Sequence, residues 1–173
     1  MRMRLQRLTM TVLAGCCLLV APIGVAIASC GDGLLLDETF DGDLRVTSED
    51  FDCSIIGSTI AGDLIVTNVN NVLLLNNTVG GRIRVEGNAK TGTANVAFNT
   101  VLGGNLYVGD MADVKVIENE TLTGSIRVIA NISAFVEKNI SGGNIRCRTN
   151  TEVKAFFNFA KGSVSGQCAP ASP

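Results

Sequence analysis

GDLRV at residues 42–46 is the stretch that decides the fold, because its pattern Gly-x-aliphatic-x-Val returns along the chain. Five further copies follow, the last with Cys in place of Val: 62–66 (GDLIV), 81–85 (GRIRV), 104–108 (GNLYV), 124–128 (GSIRV) and 143–147 (GNIRC). Successive copies begin 20, 19, 23, 20 and 19 residues apart. A repeat of nearly constant length in this range indicates a solenoid, in which each repeat forms one coil.

The pentapeptide has the alternation of a β-strand, whose successive side chains point to opposite faces of the sheet. The aliphatic residue and the Val therefore share one face, and we expect them to stack inside the solenoid. The predicted core pairs are Leu44/Val46, Leu64/Val66, Ile83/Val85, Leu106/Val108 and Ile126/Val128. The residue between the two members of each pair is expected to face outward.

Two columns of small polar residues follow the same period. The first comes five to seven residues after each Gly and predicts a turn, since Asx side chains tolerate left-handed backbone: Asn68, Asn88, Asp110, Asn131 and Asn150. The second follows a short strand with small apolar residues: Asn76, Asn99, Asn119, Asn139 and Asn158.

With two or three short strands in each coil, the chain resembles a right-handed parallel β-helix of the pectin-lyase-like type, in which stacked Asn residues commonly form internal ladders. The resemblance covers residues 34–168, and it includes no motif of a particular enzyme family. It implies an all-β, single-stranded solenoid of about six to seven coils. It also implies that the amides of the second polar column stack as a ladder, which satisfies polar groups that are costly to bury unpaired. A left-handed β-helix, with coils of about 18 residues built from hexapeptides, and a β-sandwich are the alternative folds.

The first 28 residues have the features of a signal peptide. Arg2, Arg4 and Arg7 precede an apolar stretch that ends in the cleavage signal Ala26-Ile27-Ala28. We therefore predict a leader at 1–28, an N-terminal cap at 29–41, the β-helix at 42–168 and a C-terminal tail at 169–173. The protein is then secreted or periplasmic, with no membrane span after leader removal. An uncleaved anchor and a bacterial lipoprotein attached at Cys30 are the alternatives.

Four cysteines follow the leader, and an even number in an exported chain suggests disulfides. Cys30 and Cys53 are 23 residues apart, and Cys147 and Cys168 are 21 residues apart. Each spacing is about one coil, and stacked strands lie ~4.8 Å apart, within the Cα separation of roughly 4.4–6.8 Å that a disulfide spans. We predict Cys30–Cys53 and Cys147–Cys168, one at each end of the rod. Four free buried thiols are the alternative.

Charge is distributed unevenly along the chain. Of 14 basic and 16 acidic residues, three arginines belong to the predicted leader, so the remainder has a net charge of −5. Residues 32–63 hold nine acids and one base, whereas residues 138–161 hold five bases and one acid. Position along a solenoid is position along its axis, so we expect one acidic and one basic end. The acidic balance and the few aromatics argue against nucleic-acid binding.

Little in the sequence indicates catalysis. There is no His and no Trp, and no nucleophile elbow, phosphate-binding loop or paired-Cys metal motif occurs. We expect no enzyme activity, no cofactor and no metal site. A polysaccharide lyase or hydrolase is the weaker alternative, because such an enzyme needs carboxylates gathered on long loops. The one visible insertion lies at residues 86–93.

The outward residues of the pentapeptides suggest a binding face. The candidate residues are Arg45, Arg84, Tyr107, Arg127 and Arg146. Arginines at coil spacing repel one another unless an anion lies over them or nearby acids neutralise them. We therefore expect an exported, non-catalytic protein that binds an anionic surface or extracellular polysaccharide. The alternative is a structural or adhesive envelope protein that binds another envelope protein or associates with itself end to end.

Overall fold

The computed structural model describes residues 33–47 and 52–169, together with the backbone of residues 18–20 and 25–28. These residues form an all-β, right-handed parallel β-helix of about six turns. The predicted fold class is therefore confirmed. Three long sheets run along the rod, and each coil contributes one strand to every sheet.

The strands are numbered in chain order and grouped by sheet. Sheet A contains β1 (Leu18–Val20), β2 (Val25–Ala28), β5 (Asp43–Thr47), β8 (Leu64–Val69), β11 (Ile83–Gly87), β14 (Leu106–Gly109), β17 (Ile126–Ile129), β20 (Ile145–Arg148) and β23 (Val164–Gly166). Sheet B contains β3 (Leu34–Leu36), β6 (Asp52–Ile56), β9 (Asn71–Leu75), β12 (Thr93–Ala97), β15 (Asp113–Ile117), β18 (Ser133–Glu137) and β21 (Glu152–Phe156). Sheet C contains β4 (Thr39–Phe40), β7 (Thr59–Ile60), β10 (Thr78–Val79), β13 (Thr100–Val101), β16 (Glu120–Thr121), β19 (Ile140–Ser141) and β22 (Phe159–Ala160).

Each coil passes through sheet B, then sheet C, then sheet A, and pairs in parallel with the coils on either side. The one antiparallel pair among the described strands joins β1 to β2. Both strands lie within the predicted leader, and β2 pairs with β5 at the N-terminal end of sheet A. Part of the predicted N-terminal cap forms regular structure, because residues 34–36 and 39–40 supply β3 and β4.

The core is built as the pentapeptide predicts. All five predicted aliphatic/Val pairs are fully buried, and so are Ile145 and Cys147 of the last copy. Leu44 lies beside Leu64, and Val46 beside Val66, in the first two coils. Sheets B and C add inward residues to the same interior, such as Leu74 and Val96 from sheet B and Ile60 and Val101 from sheet C. One continuous apolar core therefore runs along the rod.

A buried asparagine ladder lies at the corner between sheets B and C. Its members are Asn77, Asn99, Asn119, Asn139 and Asn158, and Ser58 occupies the same position in the second coil. In each step the backbone N–H and the amide Nδ2 of one Asn donate to the Oδ1 of the next. Among the described residues, no buried side-chain nitrogen or oxygen lacks a hydrogen-bond partner.

One residue of the predicted ladder was wrong, because Asn77 rather than Asn76 is the member from the third coil. Asn76 instead has a φ of 56° and is exposed. It belongs to a column of left-handed residues that turns the chain from sheet B into sheet C: Asp37, Gly57, Asn76, Phe98, Glu118, Lys138 and Phe157. Asn and Gly suit this conformation, but Phe, Glu and Lys do not favour it.

The predicted turn column divides into two structural positions. Asn68 and Asp110 adopt left-handed backbone, with φ of 58° and 56°, as expected for a turn. Asn131 and Asn150 lie one residue further on, where they are buried and form a second ladder. The Gln167 side chain accepts from Asn150 and so closes this ladder at the C-terminal end.

The disulfide Cys147–Cys168 is confirmed, with its Cα atoms 5.1 Å apart. Cys53 is also disulfide-bonded, and its predicted partner Cys30 lies outside the described residues. The insertion forms the turn between β11 and β12, where the register with the preceding coil shifts between Glu86 and Gly87. Because the extra residues stay in this turn, the three sheets continue without interruption.

Candidate anion-binding face

The outer surface of sheet A carries the predicted binding residues. Parallel pairing aligns the middle residues of the pentapeptides in one column: Arg45, Ile65, Arg84, Tyr107, Arg127 and Arg146. We call this surface, with its flanking residues, the arginine face. Four of the predicted residues, from Arg84 to Arg146, occupy four consecutive strands. Arg45 is separated from them by Ile65.

Acidic residues neutralise the N-terminal part of the arginine face. Arg45 lies 3.9 Å from the Asp43 carboxylate, and Arg84 donates to Glu86 at 2.6 Å. A hydrogen bond and the charge of Glu86 raise the pKa of Arg84. These guanidiniums are therefore already paired with carboxylates of the same strand.

Tyr107 sits at the middle of the arginine face. The Arg84 guanidinium lies over its ring, 5.6 Å from the centroid, at a distance typical of a cation–π contact. Gly109 leaves room for the ring, because a Cβ at that position would approach the Tyr107 hydroxyl to 2.6 Å. Partial burial, followed by the charges of Asp110 and Glu86, raises the pKa of the Tyr107 phenol. The phenol therefore remains a neutral hydrogen-bonding group.

The C-terminal part of the face is different, because its arginines have no carboxylate partner among the described residues. Within 33–47 and 52–169, no acidic oxygen lies within 4.0 Å of the guanidiniums of Arg127, Arg146 or Arg148. Arg127 and Arg146 are neighbours on adjacent strands, ~4.8 Å apart along the sheet. Guanidiniums that extend from adjacent strands on one face repel each other when no counter-charge lies beside them. All three side chains are exposed.

Arg148 was missed by the sequence analysis. It lies just outside the pentapeptide, two residues after Arg146, so the alternation of a strand places both on the same face. That alternation could have identified it, had the strand been extended by one residue beyond the repeat.

Two shallow grooves cross the face, and Arg127 lines both. The first has a volume of about 330 Å³ and includes Arg127, Arg146 and Arg148. The second has a volume of about 260 Å³ and includes Arg84, Tyr107 and Arg127. The two neighbouring grooves extend along the rod axis from the third coil to the last, and together we call them the strip.

Polar side chains line one margin of this strip. Asn105 Oδ1 accepts from the Ser125 N–H at 2.8 Å, Ser125 Oγ from the Asn144 N–H at 3.0 Å, and Asn144 Oδ1 from the Ser163 N–H at 2.9 Å. Oxygens therefore point along the rod. In the described part of the chain, the amide Nδ2 groups of Asn105 and Asn144 donate to no protein atom, so these donors are available at the surface.

The described residues contain no group of three or more His, Cys, Asp or Glu side chains placed to hold a metal ion. Nor do they include a helix long and apolar enough to cross a membrane.

The fold and this face define the class of protein: a right-handed parallel β-helix with a cationic strip on one sheet. No protein-family model, curated protein or solved structure matches the chain.

Proposed function

We propose that this is an exported, non-catalytic protein that binds an anionic extracellular polysaccharide along the arginine face. The observation that carries the proposal is the set of three arginines, Arg127, Arg146 and Arg148, that share one groove and have no carboxylate partner in the described part of the chain. Carboxylates and sulfates match the guanidinium geometry and accept two parallel hydrogen bonds from it. An anion over this groove also removes the repulsion between neighbouring arginines.

The shape of the strip favours a polymer over a small anion. The two grooves neighbour each other along the rod axis and share Arg127, so together they suit an extended chain that contacts several coils. The free amide donors of Asn105 and Asn144 can bind sugar hydroxyls beside the charged groups. The Tyr107 ring offers an apolar surface with a polar tip for the face of a sugar ring. Together these groups recognise a glycan that bears regularly spaced uronate or sulfate groups.

The test is a binding titration with polygalacturonate and heparin as anionic probes and dextran as the neutral one. Tyr107 is the chain's only Tyr and there is no Trp, so its fluorescence reports on the face. Arg127→Gln with Arg146→Gln is expected to weaken binding to the anionic probes about tenfold or more, because charge-assisted hydrogen bonds are lost. Raised salt should weaken binding of the unchanged protein.

Arg45→Gln is the matched control, since Arg45 lies in the same column but beside Asp43. It is expected to change the affinity less than twofold, because exposed, already paired charges contribute little. Equal binding to dextran, or no effect of the double substitution, would overturn the proposal. Equally tight binding to a DNA duplex would reject a polysaccharide as the specific ligand.

A further inference from the structure

At the C-terminal end of the rod, no further strand of sheet B or sheet C follows in the described chain. Strands β21 and β22 are the last of sheets B and C in the described chain. Their inward residues Val153, Ala155 and Ala160 pack on the core but are only half-buried. The end also exposes three aromatic side chains: Phe156, Phe157 (82% exposed) and Phe159. Unpaired strand edges beside exposed apolar residues form a surface that another strand can extend.

At the N-terminal end of the described residues the charge is opposite. Strands β3 and β4 are the first of sheets B and C in the described residues. Leu34 and Leu36 of β3 are 54% and 52% exposed. The first coil, 33–47, holds four acidic residues, Asp37, Glu38, Asp41 and Asp43, and one basic residue, Arg45. In contrast, residues 138–161, near the other end, hold five bases and one acid.

We infer that the basic C-terminal end binds the acidic N-terminal end of a second copy, so that the β-helix continues from one molecule into the next. In this arrangement β3 of the next copy pairs with β21, and β4 pairs with β22. The interface is heterologous, because it joins two different ends of the same chain. Such interfaces form open-ended filaments when they do not close into a ring.

The repeat register fixes which residues meet. Leu36 and Phe156 occupy the same position in their coils, as do Thr39 and Phe159. Continuing this register places Leu36, Glu38, Thr39 and Asp41 of the next copy beside Phe156, Asn158, Phe159 and Lys161. The junction therefore buries apolar groups and brings Asp41 next to Lys161, an opposite-charge pair on neighbouring strands.

The buried ladder supplies an independent match. In each coil the backbone N–H at the ladder position donates to a side-chain oxygen of the next coil, as the Asn139 N–H does to Asn158 at 3.1 Å. In the described structure the Asn158 N–H itself has no acceptor. Glu38 holds the ladder position of the first coil, where its own N–H donates to Ser58 Oγ at 3.3 Å. Its carboxylate can therefore accept from Asn158 of the preceding copy.

The leader determines when this contact forms. Strand β2 covers the edge of β5 in sheet A, and both β1 and β2 precede the predicted cleavage point after Ala28. In the proposed stack, β23 of the preceding copy pairs with β5, at the edge that β2 occupies. A chain that keeps residues 18–28 is therefore expected to stay monomeric, whereas a chain that begins at Ser29 assembles.

The test is sedimentation velocity on protein recovered after export, with the N-terminus read by intact mass. The processed protein should form a series of oligomers whose size increases with protein concentration and decreases at raised ionic strength. Lys161→Glu alone and Asp41→Lys alone should each weaken association about tenfold, since they place like charges together at the junction. Mixing the two variants should restore assembly, because each mutated end then meets a complementary one.

Lys115→Glu is the control, because Lys115 is exposed at the middle of the rod and faces outward from sheet B. It should leave the series unchanged. Three outcomes would overturn the inference. The processed protein stays monomeric at every concentration in low salt, its association stops at a dimer, or the mixture of Lys161→Glu and Asp41→Lys associates no better than either variant alone. Assembly of the chain that retains residues 18–28 would overturn the proposed register. None of these substitutions alters the groove that Arg127, Arg146 and Arg148 share, so glycan binding can be measured separately.

Discussion

The side-chain amide of Asn99 donates to the Oδ1 of Asn119 at 3.0 Å, although the two residues are 20 positions apart in sequence. Asn119 repeats the contact with Asn139 at 3.1 Å and also donates to the Val96 carbonyl at 2.8 Å. Each ladder residue thus joins three coils. Because the ladder is buried, the loss of one member leaves donors and acceptors unpaired on both sides.

Asn119→Ala is therefore expected to destabilise the fold strongly. It removes the acceptor of the Asn99 N–H and Nδ2 and the donor to Val96, and each unpaired buried group costs about 1–3 kcal/mol. We expect the free energy of unfolding to fall by about 3–5 kcal/mol in a urea titration. Asn95→Ala, at an exposed outward position of β12, should change it by no more than about 0.5 kcal/mol. Similar losses for both would contradict the ladder's role.

The left-handed column can be tested with two neighbouring glutamates. Glu118 has a φ of 52°, so Glu118→Gly relieves strain, and we expect the free energy of unfolding to rise by about 0.5–1 kcal/mol. Glu120 lies in the strand β16, where Glu120→Gly should lower it by a similar amount. Thermal or urea unfolding should therefore show changes of opposite sign in the free energy of unfolding for the two variants. Changes of the same sign would show that strain at Glu118 contributes nothing.

The environment of Tyr107 predicts a high phenol pKa. Partial burial and the charges of Asp110 and Glu86 raise it, so the ultraviolet absorbance of the phenolate should appear at higher pH in the folded than in the unfolded protein. The folded state then holds the proton longer, so the free energy of unfolding should fall as pH rises above about 10.

Glu86→Gln should lower this titration midpoint, since it removes one of the charges that raise the pKa. Glu118→Gln, far from Tyr107 on another face, should leave it in place. A folded-state midpoint at or below that of the unfolded chain would contradict the observed environment.

The disulfide Cys147–Cys168 should hold the last coil against fraying. Cys147→Val with Cys168→Ala returns the usual Val to the repeat and opens a loop of 21 residues. We expect the free energy of unfolding to fall by about 3 kcal/mol, from the chain entropy that the cross-link removes. Amide exchange should accelerate in β23 and remain slow in β8. Unchanged exchange in β23 would show that packing alone secures this end.

Much of this fold is predictable from the sequence because the pentapeptide marks the register of every coil. Its Gly, aliphatic and Val recur with little variation, so the core column and the outward arginines follow directly. The corner between sheets B and C is less visible. Phe98, Glu118 and Lys138 adopt left-handed backbone there without a typical turn residue. Asn76 and Asn77 are adjacent, and the sequence alone does not show which one adopts the left-handed turn and which one joins the ladder.

The candidate face was predictable only in part. Alternation along the strand places Arg84 and Arg146 on one surface, but pairing with carboxylates depends on side-chain reach and neighbouring coils. Arg84 is paired with Glu86, whereas Arg146 has no carboxylate partner in the described chain. The sequence therefore indicated a uniform stripe, and the structure distinguishes a neutralised part from an unpaired one.

The ladder also makes the rod a directional and modular object. Every Asn-to-Asn bond runs from the backbone N–H and Nδ2 of one coil to the Oδ1 of the next, and each of these bonds reaches only the adjoining coil. A block such as residues 119–138 is therefore a complete repeat. It can be duplicated or lost in evolution without disturbing the contacts between the remaining coils, provided that the chain direction is kept. The length of the rod, and with it the length of the proposed binding face, can then change by whole coils while the core chemistry stays constant.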